Sequence, residues 1–324
     1  MASIYKIAEQ AGVSPSTVSR ALNGTGYCSV DTRDKVLQIA NDLGYIPSHS
    51  ARALKSQRTN KILICIPDIC NPFYFRLIEG ITQVLETENY LPILCPTQAK
   101  LDNELRMVQF LEEQYGDGMI FISFDFNETI VEALNASRHP IVVTNRLPQE
   151  PAERNFDIVY VDTYEAIRLA TRHLIHKSPT DIAYLGGSLK TQTGLERYRG
   201  YIDEMEAAGI PVQKHRLLEG DFTLDSGTVA MNRSIAEGYV PEAMVVANDL
   251  MAAGAIKACH SHGIEPPEIV GMDDGEMSEA FGFSSIRMQE STIGSKSAQI
   301  LLERIHGNDD PSKSVRLIPE LHIR

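Results

Sequence analysis

Ile4-Tyr5-Lys6-Ile7-Ala8-Glu9-Gln10-Ala11-Gly12-Val13-Ser14-Pro15-Ser16-Thr17-Val18-Ser19-Arg20-Ala21-Leu22 is the stretch on which the reading of the chain turns. Ile4, Ile7, Ala8 and Ala11 recur at helical spacing. Gly12 follows at the point where a helix that ends in a left-handed residue takes glycine, and Val13 can plug the turn. Ser14 is a good N-cap, and Pro15 stands at the first helical position, where its missing N–H costs nothing. Residues 16–22 continue as a second helix, with Val18, Ala21 and Leu22 inward and Ser16, Thr17, Ser19 and Arg20 largely outward. Two short helices joined by a glycine-containing turn form a helix-turn-helix. A third helix over about 32–43 carries Val36, Ile39, Ala40 and Leu43 on one side and closes a small core. The head so defined spans residues 1–46 and is all α.

Outward from the head, the bulk numbers set limits. A chain of 324 residues suits two or three domains. Its net charge of −13 divides unevenly: residues 1–60 carry seven Lys/Arg against four Asp/Glu (+3), and the remainder carries 23 against 39 (−16). A basic head on an acidic body fits a protein that touches nucleic acid with one end only, whereas an architectural DNA protein would be basic throughout. No apolar run approaches the roughly 18 residues of a membrane helix. MASIYKIAEQ has no basic start followed by an apolar core, so no export signal and a cytoplasmic location are expected. Five cysteines, at 28, 65, 70, 95 and 259, make an odd count without CxxC spacing, so neither a disulfide framework nor a metal site is expected. Cys65 and Cys95 lie in apolar, strand-like runs and read as small buried hydrophobes.

The string IYKIAEQAGVSPSTVSRALNG, with TRDKV and then LGYIP behind it, resembles the head of the lac repressor (LacI/GalR) family in register. That resemblance implies a sequence-specific DNA-binding regulator, repression being the family default, with a double-stranded, near-palindromic operator as partner. In such heads the N-terminal side chains of the second helix reach base edges in the major groove. Here those are Pro15, Ser16 and Arg20. Arg20 suits a bidentate contact to guanine O6/N7, Ser16 is an adaptable reader, and Pro15 offers apolar contact only. Ser3, Tyr5, Thr17, Asn23, Tyr27, Ser29 and Thr32 suit phosphate contacts that hold register. Each hydroxyl among them serves equally well as a local cap.

Residues 47–60 form a hinge or linker. Ser48-His49-Ser50-Ala51-Arg52-Ala53-Leu54-Lys55 is helix-prone but too short to be stable alone in water, and a plain linker is the simpler reading. The resemblance implies instead a hinge helix in the minor groove, with Leu54 as the wedge between base pairs, Ala51 and Ala53 allowing close approach, and Ser48 where relatives often have an asparagine that contacts phosphate.

From residue 61 the pattern changes. The near-continuous apolar run at 61–66, helix 72–88, strand 91–95, helix 102–114, strand 118–122, helix 127–136 and strand 141–143 alternate strictly. Strands apolar on both faces and separated by helices mean a parallel sheet covered by helices. After a strand at 158–161 the alternation restarts, with strands near 182–186, 217–219, 243–247, 269–271 and 284–287. Two such sheets make two α/β lobes. The order is similar to that of periplasmic sugar-binding proteins. The resemblance implies crossings near residues 161, 289 and 320, with an N-lobe of about 61–161 and 290–320 and a C-lobe of about 162–289 and 321–324.

Ligands of parallel sheets sit outside the carboxyl ends of strands. There the sequence places Phe73 and Tyr74, Asn145 and Arg146, Thr191, Thr193 and Arg197, Phe222, Asn248 and Asp273. Phe73, Tyr74 and Phe222 could stack on an apolar ligand face or simply pack in a core. Arg197, Asn145, Asn248 and Asp273 could fork hydrogen bonds to hydroxyls, which suits a sugar or sugar derivative. Asp249 serves either as an N-cap or as a ligand contact. The family comparison implies effector contacts for Phe73, Tyr74, Thr191, Thr193, Arg197, Phe222, Asn248 and Asp273. Two segments depart from the family: the link at 262–271 is about three residues short, and 286–292 lacks the usual Gln-Pro of the second crossover. A homodimer is expected. No enzyme motif is present, since Gly186-Gly187 is neither a dinucleotide nor a phosphate-loop fingerprint, and no cofactor is implied. The alternative reading, a periplasmic-type solute receptor that does not bind DNA, would lack residues 1–55.

Overall fold

Ser3, Ser14 and Ser29 start the helices of the head: α1 (Ile4–Ala11), α2 (Pro15–Asn23) and α3 (Val30–Asp42). Each serine is extended and accepts the backbone N–H three residues on, from Lys6 at 3.3 Å, Thr17 at 3.2 Å and Thr32 at 3.4 Å. This satisfies one of the donors a helix start leaves open. α3 therefore begins two residues before the expected 32, because Ser29 rather than a later residue caps it. Gly12, at φ 71°, ends α1, and Lys35 Nζ donates to the Ala11 carbonyl at 3.0 Å. Ile7, Ala11, Val18, Ala21, Val36 and Ala40 form the buried core.

The computed structural model describes residues 3–24, 26–45, 58–148, 153–177 and 181–324. It divides into two units, 1–59 and 60–324. The hinge residues Ser48, Ala51 and Leu54 lie outside the described residues.

The second unit contains two six-stranded sheets. In one, β1 (Lys61–Ile66), β2 (Leu91–Pro96), β3 (Gly118–Phe121), β4 (Ile141–Val143), β5 (Asp157–Val161) and β11 (Ser314–Leu317) take the order β11-β5-β4-β3-β1-β2, parallel throughout. In the other, β6 (Ile182–Gly186), β7 (Leu217–Glu219), β8 (Ala243–Val246), β9 (Glu268–Asp273), β10 (Ser284–Arg287) and β12 (Glu320–His322) take the order β12-β10-β9-β8-β6-β7, with only β12 antiparallel. The expected two-lobed α/β fold with two parallel sheets is present. The chain passes from the first sheet to the second after β5, back after β10, and again between β11 and β12.

Helices α4 (Phe73–Thr87), α5 (Leu101–Glu112) and α6 (Glu128–Ala136) connect strands of the first sheet. Helices α7 (Thr163–His176), α8 (Gln192–Ala207), α9 (Leu224–Ala236), α10 (Asp249–Ser261) and α11 (Glu276–Phe281) serve the second, and α12 (Glu290–Ile305) returns to the first. α12 lies against α4 at backbone distance. A Cβ on Gly80 would stand 2.2 Å from the Ser291 carbonyl oxygen, and one on Gly294 would stand 2.1 Å from that of Leu77. At the crossover ahead of α12, where the family's Gln-Pro is missing, Gln289 takes a left-handed φ of 53°. Its Nε2 donates to the Ile318 carbonyl at 2.5 Å, which ties the second crossing to the third. Asp157, buried on β5, pairs through both oxygens with Arg304 of α12 at 2.8 Å. In the link ahead of β9, His262 ends α10 and its ring meets Asn232 Oδ1 at 3.0 Å. No helix among the described residues is long and apolar enough to cross a membrane.

Candidate functional site

On the head, the outward face of α2 is built by its own cap. Ser14 Oγ lies 2.7 Å from Ser16 Oγ and 2.9 Å from Thr17 Oγ1. Ser29 Oγ donates to Thr32 Oγ1 at 2.7 Å, and Asn23 Nδ2 donates to Ser19 Oγ at 3.3 Å. Ser3, Ser16, Thr17, Asn23, Ser29 and Thr32 thus all take part in local bonds, the capping alternative open in the sequence. Tyr5 and Tyr27 stand 73% and 90% exposed, and Pro15 is exposed. Arg20 is exposed and runs beside Gly26, where an added Cβ would meet its Cδ at 3.4 Å. It has no ion pair among the described residues.

In the second unit, the strand ends converge on a cavity between the two sheets. Phe73, Tyr74, Asn145, Thr193, Arg197, Phe222, Asn248 and Asp273 line it, as the strand-end rule anticipates. Arg146 and Thr191 do not. Arg146 is half-exposed, 3.9 Å from Asp162. Thr191 is the N-cap of α8, with Oγ1 donating to the Ser188 carbonyl at 3.0 Å and accepting from Gly194 N at 3.2 Å. The aromatic pair Phe73 and Tyr74 meets edge to face at 5.2 Å. Tyr74 is fully buried, which pushes its hydroxyl pKa far up.

Phe124, Leu77, Thr144 and Met288 also line the cavity and had not been singled out. Phe124 matters most. It follows β3, a strand end of the same kind as the rest. Its ring stacks on Phe222 of the other lobe at 5.4 Å and 17°. Thr193 N donates to the Phe124 carbonyl at 3.2 Å, Gln192 Nε2 to that of Arg146 at 2.9 Å, and Arg76 Nη1 to that of Asp274 at 3.1 Å. Each of these bonds joins one lobe to the other. Phe222 holds a left-handed φ of 70°, a conformation that costs of order 1–3 kcal/mol in a non-glycine residue. Gly187 makes room for it, since a Cβ there would lie 2.2 Å from Phe222 Cζ.

Polar atoms face this aromatic wall. Arg197 is buried, its guanidinium lies 5.2 Å from the Phe222 ring centre, and its Nη1 donates to the Ala247 carbonyl at 2.5 Å. Its Nε has no hydrogen-bond partner among the described residues. Burial pulls the Arg197 pKa down, and the charge of Asp273 pulls it back. Burial and then the Asp249 carboxylate push Asp273 well up, against the pull of Arg197. Asn248 spends its side chain inside the protein: Oδ1 caps α10 through Met251 N at 3.0 Å, and Nδ2 donates to the Phe222 carbonyl at 2.9 Å. Asp249 is therefore not the N-cap. Its carboxylate accepts from Ser285 Oγ at 2.6 Å and Gly275 N at 3.0 Å. Asn145 Nδ2 donates to the Ser123 carbonyl at 2.5 Å. The Arg197 guanidinium and the Asp273 carboxyl are thus the titratable groups that a ligand would meet beside aromatic faces. Among the described residues no group of three His, Cys, Asp or Glu could hold a metal ion.

Residues 3–48 match the family model for bacterial regulatory proteins of the lacI family, and residues 59–319 match that for periplasmic binding proteins and the sugar binding domain of the LacI family. The HTH-type transcriptional repressor PurR of Pasteurella multocida (strain Pm70) is 30% identical over 330 residues, covering 100% of this chain and 98% of the relative. The solved complex of the transcriptional regulator CelR with cellobiose superimposes with a TM-score of 0.74 at 27% identity, covering 100% and 99% of the two chains. The lac repressor bound to ONPG in its repressed state superimposes with a TM-score of 0.84 at 25% identity, covering 100% and 98%.

Proposed function

The chain belongs to the LacI family of bacterial regulatory proteins, and from that premise we propose that it is a homodimeric repressor whose hold on a near-palindromic operator is set by a carbohydrate bound between its lobes. The head of each subunit places α2 in the major groove, and the two half-sites lie about one helical turn, roughly 34–36 Å, apart. Arg20 reads a guanine edge, while Pro15 and Ser16 add weaker contacts. The capped hydroxyls and the exposed Tyr5 and Tyr27 face phosphates. Leu54 wedges the minor groove, a role that rests on the family resemblance. The reading places the protein in the cytoplasm and gives it no catalytic turnover. A solute receptor that ignores DNA would have no use for residues 3–48.

The dimer partner covers an apolar face of the N-lobe. Ile69, Phe75, Leu91 and Leu94 are 54%, 56%, 56% and 47% exposed there. Ile69, Phe75 and Leu94 line a groove there with Ile66 and Ile78, rimmed by Glu79 and Glu86. Large exposed apolar patches of this kind mark association surfaces.

One observation carries the effector class: the buried Arg197 Nε without a partner, next to the Asp273 carboxyl and under Phe222. A sugar hydroxyl accepts from the first and shares a hydrogen bond with the second, while the apolar face of the pyranose packs on the aromatic wall. The CelR structure holds cellobiose. Thermal-shift measurements on the full chain with cellobiose, glucose, ribose, glucose 6-phosphate and adenosine test the class. A sugar at a hundredfold excess over its Kd should add about 2.7 kcal/mol, and Arg197→Ala should remove the shift. Stabilisation by adenosine alone would refute the carbohydrate assignment.

A further inference from the structure

Cys65 lies in the middle of the N-lobe sheet, and Cys95 lies directly beside it on the edge strand. The register of β1 against β2 pairs Leu63 with Ile93 and Cys65 with Cys95. In a parallel pair, registered residues point to the same face, and their Cα atoms stand about 4.8 Å apart. That separation falls inside the roughly 4.4–6.8 Å range that disulfides span. The two thiols are close enough to shift each other's pKa, and Cys95 Sγ donates to the Ile93 carbonyl at 3.5 Å. Both are free thiols; Cys65 is fully buried and Cys95 is partly exposed. They pack with Val108, Leu111 and Leu105 on the α5 side of the sheet, on the face opposite the apolar groove assigned to the second subunit.

We propose that Cys65 and Cys95 are a modification site, an intramolecular thiol pair that a peroxide converts to a disulfide. Two features divide the roles. Burial pushes the Cys65 thiol well up and keeps it protonated. The neighbouring Cys65 thiol brings Cys95 down, and Cys95 is the member that solvent reaches. A lowered, accessible thiolate is the form that peroxides oxidise. The Cys95 thiolate attacks one peroxide oxygen, the O–O bond breaks, and the departing hydroxide takes up a proton as water. The product is the sulfenic acid of Cys95. The Cys65 sulfur then attacks the Cys95 sulfur, the S–O bond breaks, and a second water leaves with the Cys65 proton. Two thiols and one hydrogen peroxide give one disulfide and two waters. The bond staples edge strand β2, which carries Leu91 and Leu94, to β1.

The test uses the full chain carrying Cys70→Ser, because Cys70 shares tryptic peptide 62–76 with Cys65. The protein is treated with a few equivalents of hydrogen peroxide, unfolded, alkylated with N-ethylmaleimide and digested with trypsin. The expected product is peptide 62–76 joined to peptide 77–100, lighter by two hydrogens, with the alkylated cysteines falling from four to two and dithiothreitol restoring all four. In Cys65→Ser, Cys95 should stop at the sulfenic acid and be trapped by dimedone. In Cys95→Ser, peroxide should leave the remaining thiols alkylated. Full alkylation of the parent after peroxide would overturn the proposal. So would conversion of Cys95 to sulfinic acid without a cross-link, or consumption of Cys28 or Cys259 in place of the pair.

Discussion

Arg20 stands exposed on α2, and the residues around it are occupied with one another. Ser14 gathers both Ser16 and Thr17, so the short side chains near the start of the helix are partly committed to its cap. The proposed reading of base edges then rests mainly on Arg20. Arg20→Ala should cost about 1–3 kcal/mol of operator binding and relax selectivity at one base pair. Competition between operator and scrambled duplex measures this, and an unchanged ratio would remove Arg20 from its role. In the cavity, Gly187→Ala should displace Phe222 and abolish sugar stabilisation while leaving unliganded operator affinity in place. A thermal shift equal to that of the parent would contradict it. The register of α2 made the outward position of Arg20 legible from sequence, because helical spacing and a proline at the first position leave little freedom. Phe124 was not legible. Its role depends on two strand ends more than 90 residues apart facing each other. Thr191 misled in a different way. Its residue type suits a ligand, but it sits at a helix start, where capping claims its oxygen first.

At the scale of elements, α12 decides how the lobes are held. It leaves the second sheet at Gln289, turns through a left-handed residue, and packs against α4 so closely that Gly80 and Gly294 have no room for a side chain. Gly80→Ala should cost about 1–3 kcal/mol, since the added carbon meets backbone rather than a flexible side chain. Urea unfolding measures it, and a midpoint equal to the parent's would contradict the close packing. Glu290, the first residue of α12, is buried, and burial pushes its pKa to about 7. Its folded-state pKa lies above that of the unfolded chain, so the folded form holds the extra proton. The group therefore costs no stability in acid, and its penalty grows as pH rises from about 4 to about 7. Glu290→Gln should be more stable than the parent at pH 8, with the gap closing at pH 5. A gap independent of pH would refute the assignment. The strands were readable because buried parallel strands are continuous apolar runs. The turn at Gln289 was not, because nothing in a glutamine announces a positive φ.

The whole molecule joins a basic head to an acidic two-lobed body. Phe124 against Phe222 and the bonds from Thr193, Gln192 and Arg76 hold the lobes together where a ligand would enter. A sugar that changes those contacts shifts the balance between lobe arrangements, and its effect on operator binding must be reciprocal. Light scattering should find a dimer, and Phe75→Glu, which charges the exposed apolar face, should shift it to monomer. A parent that is monomeric at micromolar concentration would contradict the shared surface. The most direct test of the account is operator affinity, measured by fluorescence anisotropy on a duplex selected from a random pool by the full chain. It is measured with and without the most stabilising sugar of the thermal-shift panel. Saturating sugar should change the Kd by about fivefold or more, as a coupling of 1–3 kcal/mol implies, and Arg197→Ala should show no change. An operator Kd that stays the same while the sugar demonstrably binds would contradict the claim that the cleft governs the head.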